Sequence, residues 1–231
     1  MKTLGLIGGM SWESTAIYYR LLNEIVRERL GGLHSAKLLL WSFDFAEIAE
    51  RQHAGDWAVA GALLVAAAHK LEAGGAEGLV ICTNTMHKLA GDVQAAVSIP
   101  LIHIADATGR AVIEAGMKRP ALLATRFTME QDFYKGWLAE RYDLQPVVPD
   151  PAGRDMVHRV IYDELCQGIV KSDSKSAYLE EVARMRHEDQ VDSVIMGCTE
   201  ITMLIGQGDF DVPVFDTTRI HAEAAVDFAL S

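Results

Sequence analysis

Short aliphatic runs recur along this chain, at residues 4–7, 38–41, 78–81, 101–104, 121–123, 147–148, 193–196 and 214–215. None alternates strictly between apolar and polar positions, as a half-exposed strand would. Unbroken runs of this length fit strands buried on both faces of a parallel sheet. Longer segments lie between them, at 14–29, 56–73, 129–140, 156–170 and 176–187, with apolar residues three and four apart. That is the spacing of one buried helix face. Strand and helix in alternation predict βαβ units with right-handed crossovers, hence an α/β fold with mainly parallel sheets. No low-complexity segment or long linker interrupts the series, so a domain boundary is expected at a short hinge.

The pattern repeats. Gly5-Leu-Ile-Gly-Gly-Met-Ser-Trp-Glu13 has the strand, tight-turn and helix-start character of Ala121-Leu-Leu-Ala-Thr-Arg-Phe-Thr-Met129. Ile81-Cys-Thr-Asn-Thr-Met-His87 stands in the same relation to Ile195-Met-Gly-Cys-Thr-Glu200, and Pro100-Leu-Ile-His-Ile-Ala-Asp106 to Pro213-Val-Phe-Asp216. Three pairs in one order, at a nearly constant offset, predict a duplicated α/β unit. Two members of this set each close an apolar run with a small nucleophilic side chain, Thr83 in one half and Cys198 in the other. A pseudo-symmetric cleft would then bring a hydroxyl and a thiol to opposite sides of a ligand. Taking a proton from one face of a carbon and returning one to the other needs such a pair.

Composition narrows the classes. A length of 231 residues allows one large or two small α/β domains, and 50% hydrophobic content is enough for a continuous core. A net charge of −11 argues against nucleic acid as a partner, which would call for a basic stripe. The three cysteines, Cys82, Cys166 and Cys198, make no zinc-ligand spacing, and the eight histidines form no HExxH or HxH cluster, so no metal site is expected. An odd cysteine count without a framework reads as reduced thiols. The amino terminus lacks signal-peptide character, and the longest apolar stretch, residues 57–68, is too short to span a bilayer. These features predict a cytoplasmic protein with no membrane partner.

Several residues carry chemistry on this reading. The pattern GxxGG at residues 5–9 is not the dinucleotide GxGxxG, and the P-loop lysine is absent. Gly8, Gly9, Met10 and Ser11 precede a helix start whose free N–H groups could hold a carboxylate. Thr83, Asn84 and Thr85 crowd the carboxyl end of a strand, where open α/β sheets bind ligands, and Thr199 and Glu200 repeat the arrangement after Cys198. Helix capping is the alternative role for Asn84, Thr85 and Thr199. A helix amino terminus at Cys198 would lower the thiol pKa and make it a base or nucleophile. Cys82 reads as core, Cys166 as packing or surface, and His87 as buried packing. His221 could orient a thiol or serve structure alone. Arg51 and Gln52 could select a side chain or lie on a solvated helix face.

Taken together, Gly5-Leu-Ile-Gly-Gly-Met-Ser-Trp12, the Asn84-Thr85-x-His87 run, Ala124-Thr125 with Thr128, and Gly197-Cys198-Thr199-Glu200 resemble the aspartate/glutamate racemase family across essentially the whole chain. The resemblance implies two pseudo-symmetric α/β domains, residues 1–106 with 216–231 and residues 107–215, with the active site in the cleft between them. It implies a homodimer that needs neither pyridoxal phosphate nor metal, acting on a small amino acid. Cys198 and Thr83 become the catalytic pair; Met10, Gln52, Asn84, Thr85, Thr199 and Glu200 become substrate-binding. The family pattern has cysteine before Asn-Thr where this chain has Thr83, which is similar to the L-specific aspartate/glutamate branch. In that likeness Cys198 takes the α-proton of an L-amino acid. The alternatives are a one-cysteine lyase or isomerase resembling malonate decarboxylase or maleate isomerase, and a non-catalytic amino-acid-binding protein.

Overall fold

A computed structural model describes residues 1–231. The first elements in chain order are β1 (Leu4–Gly8), α1 (Trp12–Leu30), β2 (Leu38–Ser42), α2 (Phe45–Ala54), α3 (Trp57–Ala73), β3 (Gly78–Ile81), α4 (Ala90–Ala96) and β4 (Leu101–Ile102). They build a four-stranded parallel sheet in the order β2-β1-β3-β4. There follow α5 (Ile104–Glu114), β5 (Pro120–Ala124), α6 (Arg126–Glu130), α7 (Asp132–Tyr142), α8 (Pro151–Asp163), α9 (Ser172–Glu188), β6 (Ser193–Gly197) and β7 (Val214–Asp216). These give a second parallel sheet, β5-β6-β7, and α10 (Thr217–Leu230) closes the chain.

The chain divides into two compact units, one of Met1–Ile104 with His221–Ser231 and one of Ala105–Ile220. The divisions fall within the first turns of α5 and α10 rather than in a linker. Each sheet runs through the same sequence of strands. β1 corresponds to β5, β3 to β6 and β4 to β7, and Val147 makes a single parallel bridge to Ala121 where β2 would lie beside β1. The three repeated sequence pairs therefore occupy equivalent places in the two sheets.

The burial of the first sheet follows from strand alternation. Leu4, Leu6, Val80 and Cys82 point to one face, where Tyr18, Leu22 and Val26 of α1 and Ala222 and Val226 of α10 cover them. Ile7, Leu79 and Ile81 point to the other, against Leu64, Ala67 and Leu71 of α3 and Val93 of α4. Both faces are dry, so unbroken aliphatic runs serve as strands. Each fully buried Leu or Ile contributes about 1.5–3 kcal/mol relative to exposure.

Several predicted boundaries differ from the structure. The run at 101–104 is a strand only over Leu101–Ile102, because Ile104 already opens α5. The segment at 129–140 is broken at Gln131, whose φ of −89° and ψ of 150° are extended, which separates α6 from α7. The segment at 156–170 starts earlier and stops earlier. Asp150 caps α8 by accepting the Gly153 N–H at 2.8 Å, and Pro151 fits the first turn. At its other end Glu164 leaves helical geometry, and Gly168 at φ 72° ends a short 3-10 turn, Leu165–Gln167.

One polar contact ties the first unit's helices to its sheet. The Tyr18 hydroxyl of α1 donates to His221 Nδ1 of α10 at 2.8 Å, and His221 Nε2–H donates to the Ile102 carbonyl at 2.7 Å. Burial holds the pKa of His221 down to about 4, against the opposing pull of the Ile102 carbonyl. Above about pH 6.5 the ring is neutral in folded and unfolded chains alike, and its contribution is complete. Below that the unfolded chain binds a proton the folded chain refuses, so stability falls as the pH drops towards 4. The expected loss is on the order of 3 kcal/mol. The difference between parent and His221→Asn in urea unfolding at pH 7 and pH 4 isolates it. His221→Asn is expected to be less stable at pH 7 but to lose less on acidification.

Candidate active site

Unit 1 places two loops at the carboxyl edge of its sheet, the edge where parallel sheets take ligands. The first leaves β1. Gly9 has φ 81°, and a Cβ there would overlap the backbone of Phe43, so only glycine lets the loop pass this close to the segment after β2. Its N–H donates to Thr15 Oγ1 at 2.8 Å. Ser11 caps α1 by accepting the Ser14 N–H at 3.2 Å. The protein thus uses part of the donor set that the sequence offered to a carboxylate. Met10 is buried.

The second loop leaves β3. The Thr83 N–H donates to the Ile81 carbonyl at 2.9 Å, which turns the chain sharply. Thr83 stays partly exposed, whereas Asn84, Thr85 and His87 are buried. The run that follows, Thr85–Leu89, is a 3-10 helix and not the start of an α-helix. Asn84 stands at its N-cap position and makes no side-chain capping bond, so capping is not its role. From α2, the buried Gln52 donates Nε2–H to Met86 Sδ at 3.0 Å, which brings it to the turn after Thr83. A solvated-face role is thereby ruled out for Gln52. Arg51 lies half-buried beside it. His87 does more than pack: its Nδ1 meets the Thr83 carbonyl at 2.7 Å.

Unit 2 carries the equivalent edge. A Cβ on Gly197 would come within 2.9 Å of Ala124 Cβ, so glycine lets the end of β6 lie close to β5. Cys198 is extended (φ −148°, ψ 133°), partly exposed, and precedes a second short 3-10 helix, Thr199–Met203. Its thiol donates to Glu200 Oε2 at 2.9 Å. Glu200 and Thr199 are buried. The hydroxyls of Thr199 and Thr218 meet at 3.1 Å, and Thr217 Oγ1 donates to the Met196 carbonyl at 2.8 Å. The latter bond fixes the strand just ahead of the thiol. Thr125 and Thr128, after β5, pair at 3.4 Å.

The electrostatics correct one expectation. Burial, then the charge of Glu200, then the Cys166 thiol, hold the Cys198 pKa well above the ordinary thiol range, and only the Glu200 backbone N–H pulls the other way. One short 3-10 turn has too little aligned backbone dipole to overcome a neighbouring carboxylate in a buried setting. Cys198 therefore rests as a thiol. Cys82 is fully buried and burial raises its pKa further from use. Tyr162 and Tyr178 also sit in the field of Cys198. Burial first, and that thiol second, raise both phenols.

Tyr162, Cys166 and Tyr178, near Cys198, and Thr218, bonded to Thr199, are site residues that the sequence reading does not include. Thr218 has a signal, since Thr217-Thr218 directly follows β7, the strand equivalent to β4. The other three come from α8, the turn after it and α9, and no local pattern announces them. No group of three or more His, Cys, Asp or Glu side chains is arranged to hold a metal ion, and no helix is long and apolar enough to cross a membrane.

Comparison with known proteins places this geometry. Residues 7–225 match the family model described as Asp/Glu/Hydantoin racemase. The crystal structure of a candidate Asp/Glu racemase from Yersinia pestis is 52% identical, superposes with a TM-score of 0.94 and covers 100% of both chains. That of an aspartate racemase homologue from Pyrococcus horikoshii OT3 is 35% identical, with a TM-score of 0.89 over 100% of both chains. A broad specificity amino-acid racemase from Bacillus subtilis (strain 168) is 20% identical over 174 residues, 73% of this chain and 71% of its own.

The thiol–carboxylate bond makes a measurable prediction. Glu200→Gln removes the like charge but keeps an acceptor, so the Cys198 pKa is expected to fall. Alkylation of Cys198 by iodoacetamide at pH 8, followed by peptide mass spectrometry, is then faster than in the parent. An equal or slower rate would contradict the assignment.

Proposed function

The chain belongs to the Asp/Glu/Hydantoin racemase family and is an amino-acid racemase; from that premise we propose that it works on a small acidic or polar amino acid, taking the α-proton of the L isomer with Cys198 and delivering one to the opposite face from Thr83. The observation that carries this reading is the pair of equivalent sheet edges. One ends in a thiol bonded to a buried carboxylate, the other in a hydroxyl on a sharp turn.

The resting thiol needs a route to thiolate. Glu200 supplies it by accepting the thiol proton at 2.9 Å. The substrate's ammonium group, arriving beside the Cys198 sulfur, favours negative charge on the thiolate over negative charge on Glu200 and so drives that transfer. The thiolate then takes the Cα proton. Thr83 gives its hydroxyl proton to the other face of the carbanion and is reprotonated through water by the proton Glu200 had taken. Every proton is accounted for, and no redox step is involved. The developing negative charge on the α-carboxylate is met by Asn84, Thr85 and Thr199 with nearby backbone N–H groups.

A threonine hydroxyl is a serviceable donor but a far weaker base than a thiolate, so α-proton exchange with solvent is faster from the L isomer. Met10 and Gln52 are assigned to the side-chain end. The bond from Gln52 Nε2 to the Met86 thioether uses a weak acceptor, which a substrate carboxylate or hydroxyl readily replaces. Within this proposal the enzyme is a cytoplasmic homodimer that uses neither pyridoxal phosphate nor metal.

Deuterium wash-in from D₂O, followed by NMR for L- and D-aspartate and glutamate, tests the reading. Exchange is expected to be faster from the L isomers. Cys198→Ala is expected to lower it at least about a hundredfold and Cys82→Ala to leave it unchanged. Thr83→Cys is expected to raise exchange from the D isomer. Absence of exchange from every amino acid tried would sink the proposal, and carbon dioxide from malonate or fumarate from maleate would move the chain to the one-thiol alternatives.

A further inference from the structure

The amino edge of the Thr83 turn is explained by its bond to Ile81, but its other edge depends on a group with no part in the proton transfers. His87 is 3% exposed, and both of its ring nitrogens are used. Nε2 accepts the Ile104 N–H at 3.2 Å, so the proton sits on Nδ1, which donates to the Thr83 carbonyl at 2.7 Å. The ring packs edge-on against His103 at 4.8 Å and His221 at 5.4 Å between centroids. Burial, then His103 and His221, hold its pKa well below the ordinary histidine value, against the opposing bond to Thr83.

Resting on the assignment of Thr83 as proton donor, we propose that His87 is the positioning residue of Thr83, fixing the turn that presents its hydroxyl and tying that turn to residues 102–104. The second tie is independent. His221, itself held by Tyr18, donates to the Ile102 carbonyl. Two imidazoles thus clamp the carbonyl of Ile102 and the N–H of Ile104 on either side of His103. An apolar side chain of similar size would fill the space. It would leave a buried carbonyl and a buried N–H unmet, at about 1–3 kcal/mol each. The geometry matters because proton delivery to carbon tolerates little displacement; an error of about 1 Å costs on the order of a hundredfold in rate.

The two halves of the ring can be tested separately. In His87→Asn the amide nitrogen replaces Nδ1 and reaches the Thr83 carbonyl; in His87→Gln the amide oxygen replaces Nε2 and meets the Ile104 N–H, leaving Thr83 unheld. Two rates are read with the L substrate in D₂O: wash-in to the recovered L isomer, which needs Cys198 alone, and conversion to D, which needs Thr83. The expected result is a wash-in to conversion ratio raised roughly tenfold or more in His87→Gln and near the parent value in His87→Asn. A ratio unchanged in both variants would overturn the proposal. So would wash-in and conversion falling by one common factor, because a merely structural role predicts that. A parent enzyme that shows neither rate would instead refute the reaction itself, before any His87 variant is made.

Discussion

The hydrogen bond from the Cys198 thiol to the Glu200 carboxylate, 2.9 Å long and lined on the protein side by buried groups, sets the terms for the rest of the site. Burial and, after it, a carboxylate in that position disfavour a standing thiolate, and the carboxylate also accepts the thiol's hydrogen bond. In the proposed mechanism the base forms only when a positive charge arrives beside the Cys198 sulfur. An α-amino acid brings that charge with it. On that proposal, selectivity for a zwitterionic substrate and protection of the thiol from adventitious electrophiles would have one cause.

The scaffold serves that bond by precision at two sheet edges. Parallel strands buried on both faces cannot shift register without exposing aliphatic side chains or burying polar ones. The residues just past β3 and β6 are tied down by further contacts. Gly197 lets β6 lie close to β5, Thr217 bonds the Met196 carbonyl, and Thr218 meets Thr199. In unit 1 the corresponding work is divided between the Ile81 turn, the Gln52 contact with Met86 and the His87 bond to Thr83. The thiol side is supported chiefly by hydroxyls and the hydroxyl side by imidazoles and a thioether. The sequence repeat is thus conserved in topology and not in the chemistry of its supports.

Much of this was legible from residue order alone. The aliphatic runs marked every strand, and the repeated Gly, Thr, Cys and Pro positions marked which strands correspond, because burial on two faces leaves a direct trace in composition. Helix limits were less legible where capping outweighed periodicity. Asp150 and Pro151 start α8 before its first apolar pair, and Gln131 breaks a helical pattern that would run on. Spacing alone gives the acid–base state of Cys198 the wrong sign. A helix start two residues from a glutamate looks favourable for a thiolate only if the carboxylate points away, and side-chain direction is not written in spacing. The sequence marks His87 as buried but not as bonded at both nitrogens, since one of its partners, Ile104, lies far along the chain.

The central claim is that different groups serve the two faces of the α-carbon. The deuterium content of the first D product formed from protiated L-aspartate or L-glutamate in D₂O tests this most directly. Delivery from Thr83, whose hydroxyl has exchanged with solvent, predicts a D product that carries deuterium at Cα from the earliest measurable conversion. A D product that retains the original protium would mean that one group removed and returned the same hydrogen, and would contradict the account.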